Sequence, residues 1–266
     1  MSETNQMLRT VTATRYVTPL REGGSLPAVV EADDDGLYVL KFRGAGQGPK
    51  VLIAELLCGE LGRALGLPVP ELVLAELDPA IGRNEPHEEI QDLLAASEGL
   101  NLAMDFLPGA LAFDPLLADR TDPDLAARIV WFDAYTTNVD RTPRNTNLLL
   151  WHRRLYMIDH GAALYVHHTW ADWAERAQSR FPQVKDHVLL PAAGDLRAAD
   201  AALAPLVTRE LVEALVAAIP EPWLEAAEAP FADADEHRAA YAGYMLGRIA
   251  GPRLFVEEAA DARDRL

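Results

Sequence analysis

The chain has almost no cysteine. Cys58 stands alone among 266 residues, so an internal disulfide is excluded and a reducing compartment such as the cytoplasm is expected. Long apolar runs are missing too. No uncharged stretch reaches the roughly 18 residues that suggest a membrane helix. Residues 1–9 lack the apolar core of a signal peptide. Positive charge is scarce: 24 Lys and Arg stand against 41 Asp and Glu, for a net charge of −17. Broad binding to nucleic acid or to anionic membranes needs basic surface, so neither partner is expected. Walker-type phosphate loops and G-x-S-x-G nucleophile elbows are absent. His160, His167 and His168 lack neighbours at zinc-ligand spacing, so zinc is not expected.

What is present describes an ordinary globular chain, with 50% apolar and 24% charged residues. Its length suffices for one large domain or two lobes. Residues 28–31 and 37–42 flank the acidic turn Asp33-Asp34-Asp35-Gly36 and predict a β-hairpin. Apolar residues recur at helical spacing over 49–65, where Gly66 and Pro68 end the run. Strands are expected over 69–77 and 100–106, with a short helix over 87–96 between them. Asp122-Pro123 opens a helix to about residue 137. Two short strands follow over 146–151 and 155–158, with Arg153-Arg154 as the turn. Beyond Trp170 the pattern is helices broken by prolines. Strands first and helices later predict an α+β, two-lobed architecture with a β-rich N-lobe over 1–107 and a mostly helical C-lobe over 108–266. A hinge is expected at 105–109, with a small-molecule site between the lobes.

The chemistry concentrates in one stretch. It reads Asn138-Val139-Asp140-Arg141-Thr142-Pro143-Arg144-Asn145, followed after an apolar strand by Ile158-Asp159-His160-Gly161. An Asp five residues before an Asn, then a second Asp, is the group set that phosphoryl transfer from ATP requires. Asp140 would orient the attacking hydroxyl. Asn145 and Asp159 would hold Mg2+. As a structural feature the same stretch is a polar turn with Asx caps. A carboxylate closing an apolar strand, however, is costly unless it is paired or metal-bound.

Other candidates are weaker alone. Lys41 is the one cation in Tyr38-Val39-Leu40-Lys41-Phe42 and suits a phosphate-binding lysine, although strand phase leaves its direction open. Glu55 and Glu60 both lie on the helix of residues 49–65, and the helical wheel favours Glu60 as the partner of Lys41. Gly23-Gly24-Ser25 offers backbone N–H groups to a nucleotide but is not a G-x-G-x-x-G. Arg43, Lys50, Arg141 and Arg144 offer a basic rim or plain solvated charge.

Together these residues resemble the HipA-like kinase family, in its short, single-module members. The segments that carry the likeness are residues 38–44, 48–57, Leu65-Gly66-Leu67-Pro68-Val69-Pro70, Met104-Asp105-Phe106, 138–145 and 158–164. The resemblance implies a protein-kinase-like fold using ATP and Mg2+. It gives Asp140 the catalytic role, Asn145 and Asp159 the metal, and Lys41 the phosphates. It selects Glu55 over Glu60 as the helix glutamate. It sets Met104, Asp105, Phe106 and Leu107 at the adenine, and Gly23, Gly24 and Ser25 in the nucleotide-covering loop, where longer relatives carry a self-phosphorylated serine. Those relatives also have an extra N-terminal subdomain and a DNA-binding antitoxin partner. About forty residues precede Lys41 here, which leaves no room for that subdomain. Toxin activity, antitoxin and tRNA-synthetase target are therefore not carried over.

The leading expectation is a cytoplasmic Mg-ATP-dependent kinase acting on protein Ser or Thr. The alternatives are a kinase for a small molecule or lipid head group, and an ATP-binding pseudokinase scaffold.

Overall fold

The computed structural model describes residues 8–20, 26–46, 48–82 and 85–266. Its first half rolls five strands into a closed barrel. These are β1 (Thr10–Pro19), β2 (Ala28–Ala32), β3 (Leu37–Lys41), β4 (Leu72–Leu77) and β5 (Gly99–Asp105), ordered β1-β2-β3-β5-β4. Side chains alternate across each strand. Val30, Tyr38, Leu40, Val73, Ala75 and Ala103 fill the barrel. Val39 and Lys41 consequently face outward, and both are half-buried.

The hairpin of β2 and β3 lies where the sequence predicts it. β1 is not anticipated by the pattern, yet it is the longest strand. Its exposed positions are Thr10, Thr12, Thr14, Arg15, Val17 and Thr18, and only Val11 and Ala13 are fully buried. The apolar alternation is therefore too short to read. Closure supplies the missing stability, because β1 pairs antiparallel with β2 and parallel with β4.

Helix α1 (Pro49–Ala64) starts behind Gly48 at φ 67° and stops before Gly66 at φ 72°. Both glycines take the left-handed region that other residues enter at a cost. Ten of the sixteen residues of α1 are buried. Leu52, Ile53, Leu56 and Leu61 join the main core, continuous with the helical half. Glycines allow the close approach: a Cβ on Gly59 would lie 2.4 Å from Leu72 Cδ1. Helix α2 (Glu88–Ala96) closes one side of the barrel through Ile90 and Leu94.

The second half opens with β6 (Leu111–Ala112), which pairs with β7 (Leu148–Trp151), itself paired with β8 (Arg154–Met157). The turn between β7 and β8 is His152-Arg153, one residue earlier than predicted. Both residues have positive φ, 48° and 65°, as a two-residue hairpin of this hand requires. Helix α3 (Pro123–Thr136) is capped by Asp122, whose carboxylate accepts from Leu125 N–H. α3 carries Trp131, Phe132 and Tyr135 into the core. α5 (Leu196–Leu203) and α9 (Leu254–Asp264) pack against it, while α4 (Trp173–Arg176), α6 (Arg209–Ala217) and α7 (Glu221–Ala226) pack on α8 (Ala234–Ala250), which reaches the end of α3 through Arg248. The α+β, two-part architecture expected from the sequence is observed. Among the described residues no helix is long and apolar enough to cross a membrane.

Candidate active site

The end of α3 fixes the first loop. Arg248 of α8 is buried and donates to the carbonyls of Tyr135 at 2.6 Å and Ala134 at 2.8 Å. A cation on the last carbonyls of a helix meets both their unused acceptors and the helix dipole. Thr137 then turns left-handed at φ 55° and releases the chain into residues 138–147. Asn138 Oδ1 accepts from the Asp140 N–H at 3.1 Å. One Asp140 carboxylate oxygen, Oδ2, accepts from Asn145 Nδ2 at 2.7 Å and from Asn147 Nδ2 at 3.4 Å. Asp140 and Asn145 are thus brought into contact, and both remain reachable from solvent. The Asn145 amide nitrogen faces Asp140, and among the described residues nothing donates to its Oδ1.

The second loop follows β8. Ile158 N–H donates to the Asn147 carbonyl at 3.0 Å, so the two loops share a hydrogen bond. Asp159 has φ 55°, a conformation that Asp tolerates better than most residues. Its Oδ1 accepts from Lys41 Nζ at 2.8 Å across the space between barrel and helical half. Lys41 also bonds Glu55 Oε1 of α1. The structure therefore joins Lys41, Glu55 and Asp159 in one cluster. Burial alone would lower the Lys41 pKa, but the carboxylates of Glu55 and Asp159 outweigh it and raise it. Burial pushes the Glu55 carboxyl up, against the pull of Lys41. Asp159 is driven the other way: burial works to raise it, and the Lys41 ammonium brings it below the usual carboxylate range.

Glu60 lies away from this cluster and pairs with Arg63 at 3.2 Å. The wheel misleads because α1 is buried on nearly every side, so an apolar stripe does not mark the functional face. Gly161 is required where it stands. An added Cβ would approach Val51 Cγ1 to 2.6 Å and Glu55 Oε1 to 3.2 Å. Gly161→Ala is expected to cost about 1–3 kcal/mol by overpacking and to displace Glu55. Thermal melting and the rate of transfer would both fall; an unchanged rate would show that Glu55 tolerates the shift.

Arg141 is not part of a basic rim. It is buried, with its Nε 2.6 Å from Asp133 Oδ2. Its Nη1 donates to the carbonyls of Asn147 and of Ile158, the latter at 3.1 Å. One guanidinium therefore holds both loops. Asp133 in turn accepts from Asn138 Nδ2 at 3.0 Å and lies 2.8 Å from His187 Nε2. Sequence reasoning missed Asp133, Asn147, His187 and Arg248. One signal was present: Asp133 is the single charge in Ile129-Val130-Trp131-Phe132-Asp133-Ala134-Tyr135, and a lone carboxylate there needs a partner. His160 packs beneath, its Nδ1 3.3 Å from Arg141 Nη2 and its ring edge-on to Phe132. Burial, then Arg141, hold its pKa at about 3, so the imidazole is neutral.

Met104 lies on β5 opposite Val39, two residues from Lys41. Leu107 is buried, and Met104 and Phe106 are half-buried. The N–H groups of Asp105 and Phe106 already donate to the Glu71 and Leu37 carbonyls, at 2.8 and 3.0 Å. Arg43 turns to the Glu98 carbonyl at 2.6 Å, and Arg144 is exposed. Gly23, Gly24 and Ser25 lie outside the described residues.

A family model for the HipA-like kinases matches residues 14–252. The chain belongs to the HipA-like kinase family. No curated protein matches it in sequence. Among solved structures it is similar to the Helicobacter pylori proinflammatory kinase CtkA, with 13% identity and a TM-score of 0.54. That alignment covers 97% of this chain and 99% of that one. It is also similar to the Golgi casein kinase, with 14% identity and a TM-score of 0.49 over 94% of this chain and 72% of the other. A second Golgi casein kinase structure, with Mn and ADP bound, gives 13% identity and 0.48 over 91% and 72%. The fold of the family member described here is accordingly protein-kinase-like, and its activity class is phosphotransfer.

The side chains present suit a magnesium ion. Asp159 offers a carboxylate and Asn145 an amide oxygen without a donor. Mg2+ prefers such hard oxygens and takes few protein ligands, leaving the rest to water and phosphate. Among the described residues no cluster of three His, Cys, Asp or Glu is placed to hold a metal.

Proposed function

We propose that the chain transfers the γ-phosphoryl group of Mg-ATP to a Ser or Thr hydroxyl of a polypeptide. The observation that carries this reading is the Lys41–Glu55–Asp159 cluster, tied through Ile158, Asn147 and Arg141 to the Asp140–Asn145 pair. Lys41, steadied by Glu55, would meet phosphate oxygens once Asp159 exchanges it for the metal. Asn145 and Asp159 would hold Mg2+, which when bound neutralises charge on the β- and γ-phosphates. Asp140 has one carboxylate oxygen engaged by Asn145 and Asn147; the other is left to accept from the acceptor hydroxyl and align it. Rate would come from positioning and charge neutralisation.

Met104, Asp105, Phe106 and Leu107 would line the adenine. With the Asp105 and Phe106 amides committed, the base would rely on the Leu107 N–H and on hinge carbonyls. Gly23, Gly24 and Ser25 would cover the phosphates. The boundary between lobes is drawn at Leu107/Pro108, where β5 has ended and the Gly109 turn begins. The lone thiol Cys58 is buried, in keeping with a cytoplasmic setting.

The test uses γ-labelled ATP, the purified chain and a pool of Ser and Thr peptides, with magnesium or with a chelator. Label is expected on peptide only with magnesium. Bound ATP without any transfer to the chain or the peptides, or equal transfer under chelation, would sink the proposal.

A further inference from the structure

A cavity of about 430 Å3 opens beside the Asp140 loop. Its size is within the range of ligand pockets. Thr137 and Val139 form one wall, Val139 being the residue before Asp140. Tyr165 and Val166, a few residues past Asp159, form the next. Phe181 and Tyr244 supply a buried apolar base. The loop that carries Asp140 and the short helical turn Tyr165–His168, which follows the Asp159 loop, are thus walls of this cavity. A larger cavity, about 650 Å3, lies between α6 and α8, and neither loop lines it.

The charge lining the smaller cavity runs against the rest of the molecule. The chain carries −17, yet this lining includes Arg176 and Arg180 and no carboxylate. Arg180 is engaged by Glu258 at 3.2 Å and lies 3.9 Å from Asp261. Arg176 donates to Thr169 Oγ1 at 3.1 Å, and among the described residues no carboxylate pairs with it. Its remaining donors are available to a ligand. Thr137, in the same wall, is 8% exposed, and among the described residues its buried Oγ1 has no hydrogen-bond partner. A buried hydroxyl left unpaired is unusual and costly.

We infer that this cavity receives an acidic side chain flanking the acceptor hydroxyl of a polypeptide substrate. The inference rests on the reading of Asp140 as the residue that aligns that hydroxyl. Val139 lines the cavity and Asp140 does not, so a ligand must extend past its acceptor group to fill it. Val139, Val166 and Phe181 suit the apolar part of such a segment, and Arg176 suits its carboxylate. Arg–carboxylate pairs are the strong, directional kind of hydrogen bond.

The experiment measures binding without chemistry. Dye-labelled Ser peptides flanked by Glu, Gln or Lys are titrated onto the full chain with magnesium and a non-hydrolysable ATP analogue. The Glu peptide is expected to bind roughly tenfold or more tighter than the Lys peptide, as one charged hydrogen bond allows. Arg176→Glu should reverse that order, and Arg176→Gln should erase it, each with an unchanged melting temperature. Arg209→Glu, the same charge change on the lining of the other cavity, should leave the order intact. Equal affinities for the three peptides, no binding of any, or equal effects of the two Glu variants would overturn the inference. Parallel transfer assays with ATP separate the two readings. Acid-selective binding without transfer would overturn the kinase proposal and spare the cavity; transfer without acid preference would do the reverse.

Discussion

Asp159→Asn is expected to lower the rate of phosphoryl transfer by about 10²–10³-fold while the chain stays folded, a loss comparable to removing one charge-stabilising group from an active site. Asparagine keeps the shape of the side chain and tolerates the left-handed φ of 55° found here. Lys41 keeps its bond to Glu55, so no cation is left buried alone. What disappears is the carboxylate that would exchange Lys41 for the metal. The defect should therefore show in magnesium dependence and in the KM for ATP. Asp140→Asn separates the roles. An amide at 140 can still accept from Asn145 but attracts the acceptor proton poorly. It should lower kcat by about 10²–10⁴-fold and leave nucleotide affinity unchanged. Steady-state kinetics at varied magnesium, with melting curves as control, decide both. Full activity in either variant would remove that residue from the site.

Much of this arrangement was legible in the sequence, for a physical reason. Asp140, Asn145 and Asp159 lie on two loops separated only by a β-hairpin, so their spacing survives as a string. Lys41 and Glu55 are likewise linked by a single turn from strand to helix. Where the chain folds back from afar, the string says little. His187 reaches Asp133 across 54 residues, and Arg248 reaches Tyr135 across 113. β1 was invisible because only Val11 and Ala13 are buried along it and the apolar Val17 is exposed, so no apolar alternation runs its length. Arg141 was misread as surface because nothing local shows that the turn it belongs to is buried. The choice between Glu55 and Glu60 failed on amphipathicity alone, since a helix clamped between barrel and helical half has no solvent face to define the stripe.

The buried support beneath the site should cost more to break than any surface pair. Asp133→Ala is expected to destabilise the chain by about 3–5 kcal/mol, the loss typical when one partner of a buried ion pair is removed. Both Asp133 and Arg141 are fully buried, so the guanidinium would be left in a dry core with no counter-charge, facing only the carbonyls of Asn147 and Ile158 and the neutral His160 ring. His187 and Asn138 would lose an acceptor as well. For a chain of this size the melting temperature should fall by roughly 6–20 °C. Because Arg141 joins the two motif loops, transfer should fall along with stability. Acid provides an independent check. Burial works to raise the Asp133 pKa, but Arg141 and His187 more than offset it and hold the carboxyl below its usual range. A carboxylate depressed in the folded state contributes stability that is complete above the unfolded pKa, near 4, and is lost as pH falls below it. Wild type should therefore lose stability between about pH 5 and lower values more steeply than Asp133→Asn, which has no proton to bind there. The double variant Asp133→Leu with Arg141→Met should recover part of the loss of either single change, because it removes the uncompensated charge. Denaturant midpoints for the four chains would show it, and strictly additive losses would mean that the pair is not the element holding the loops together.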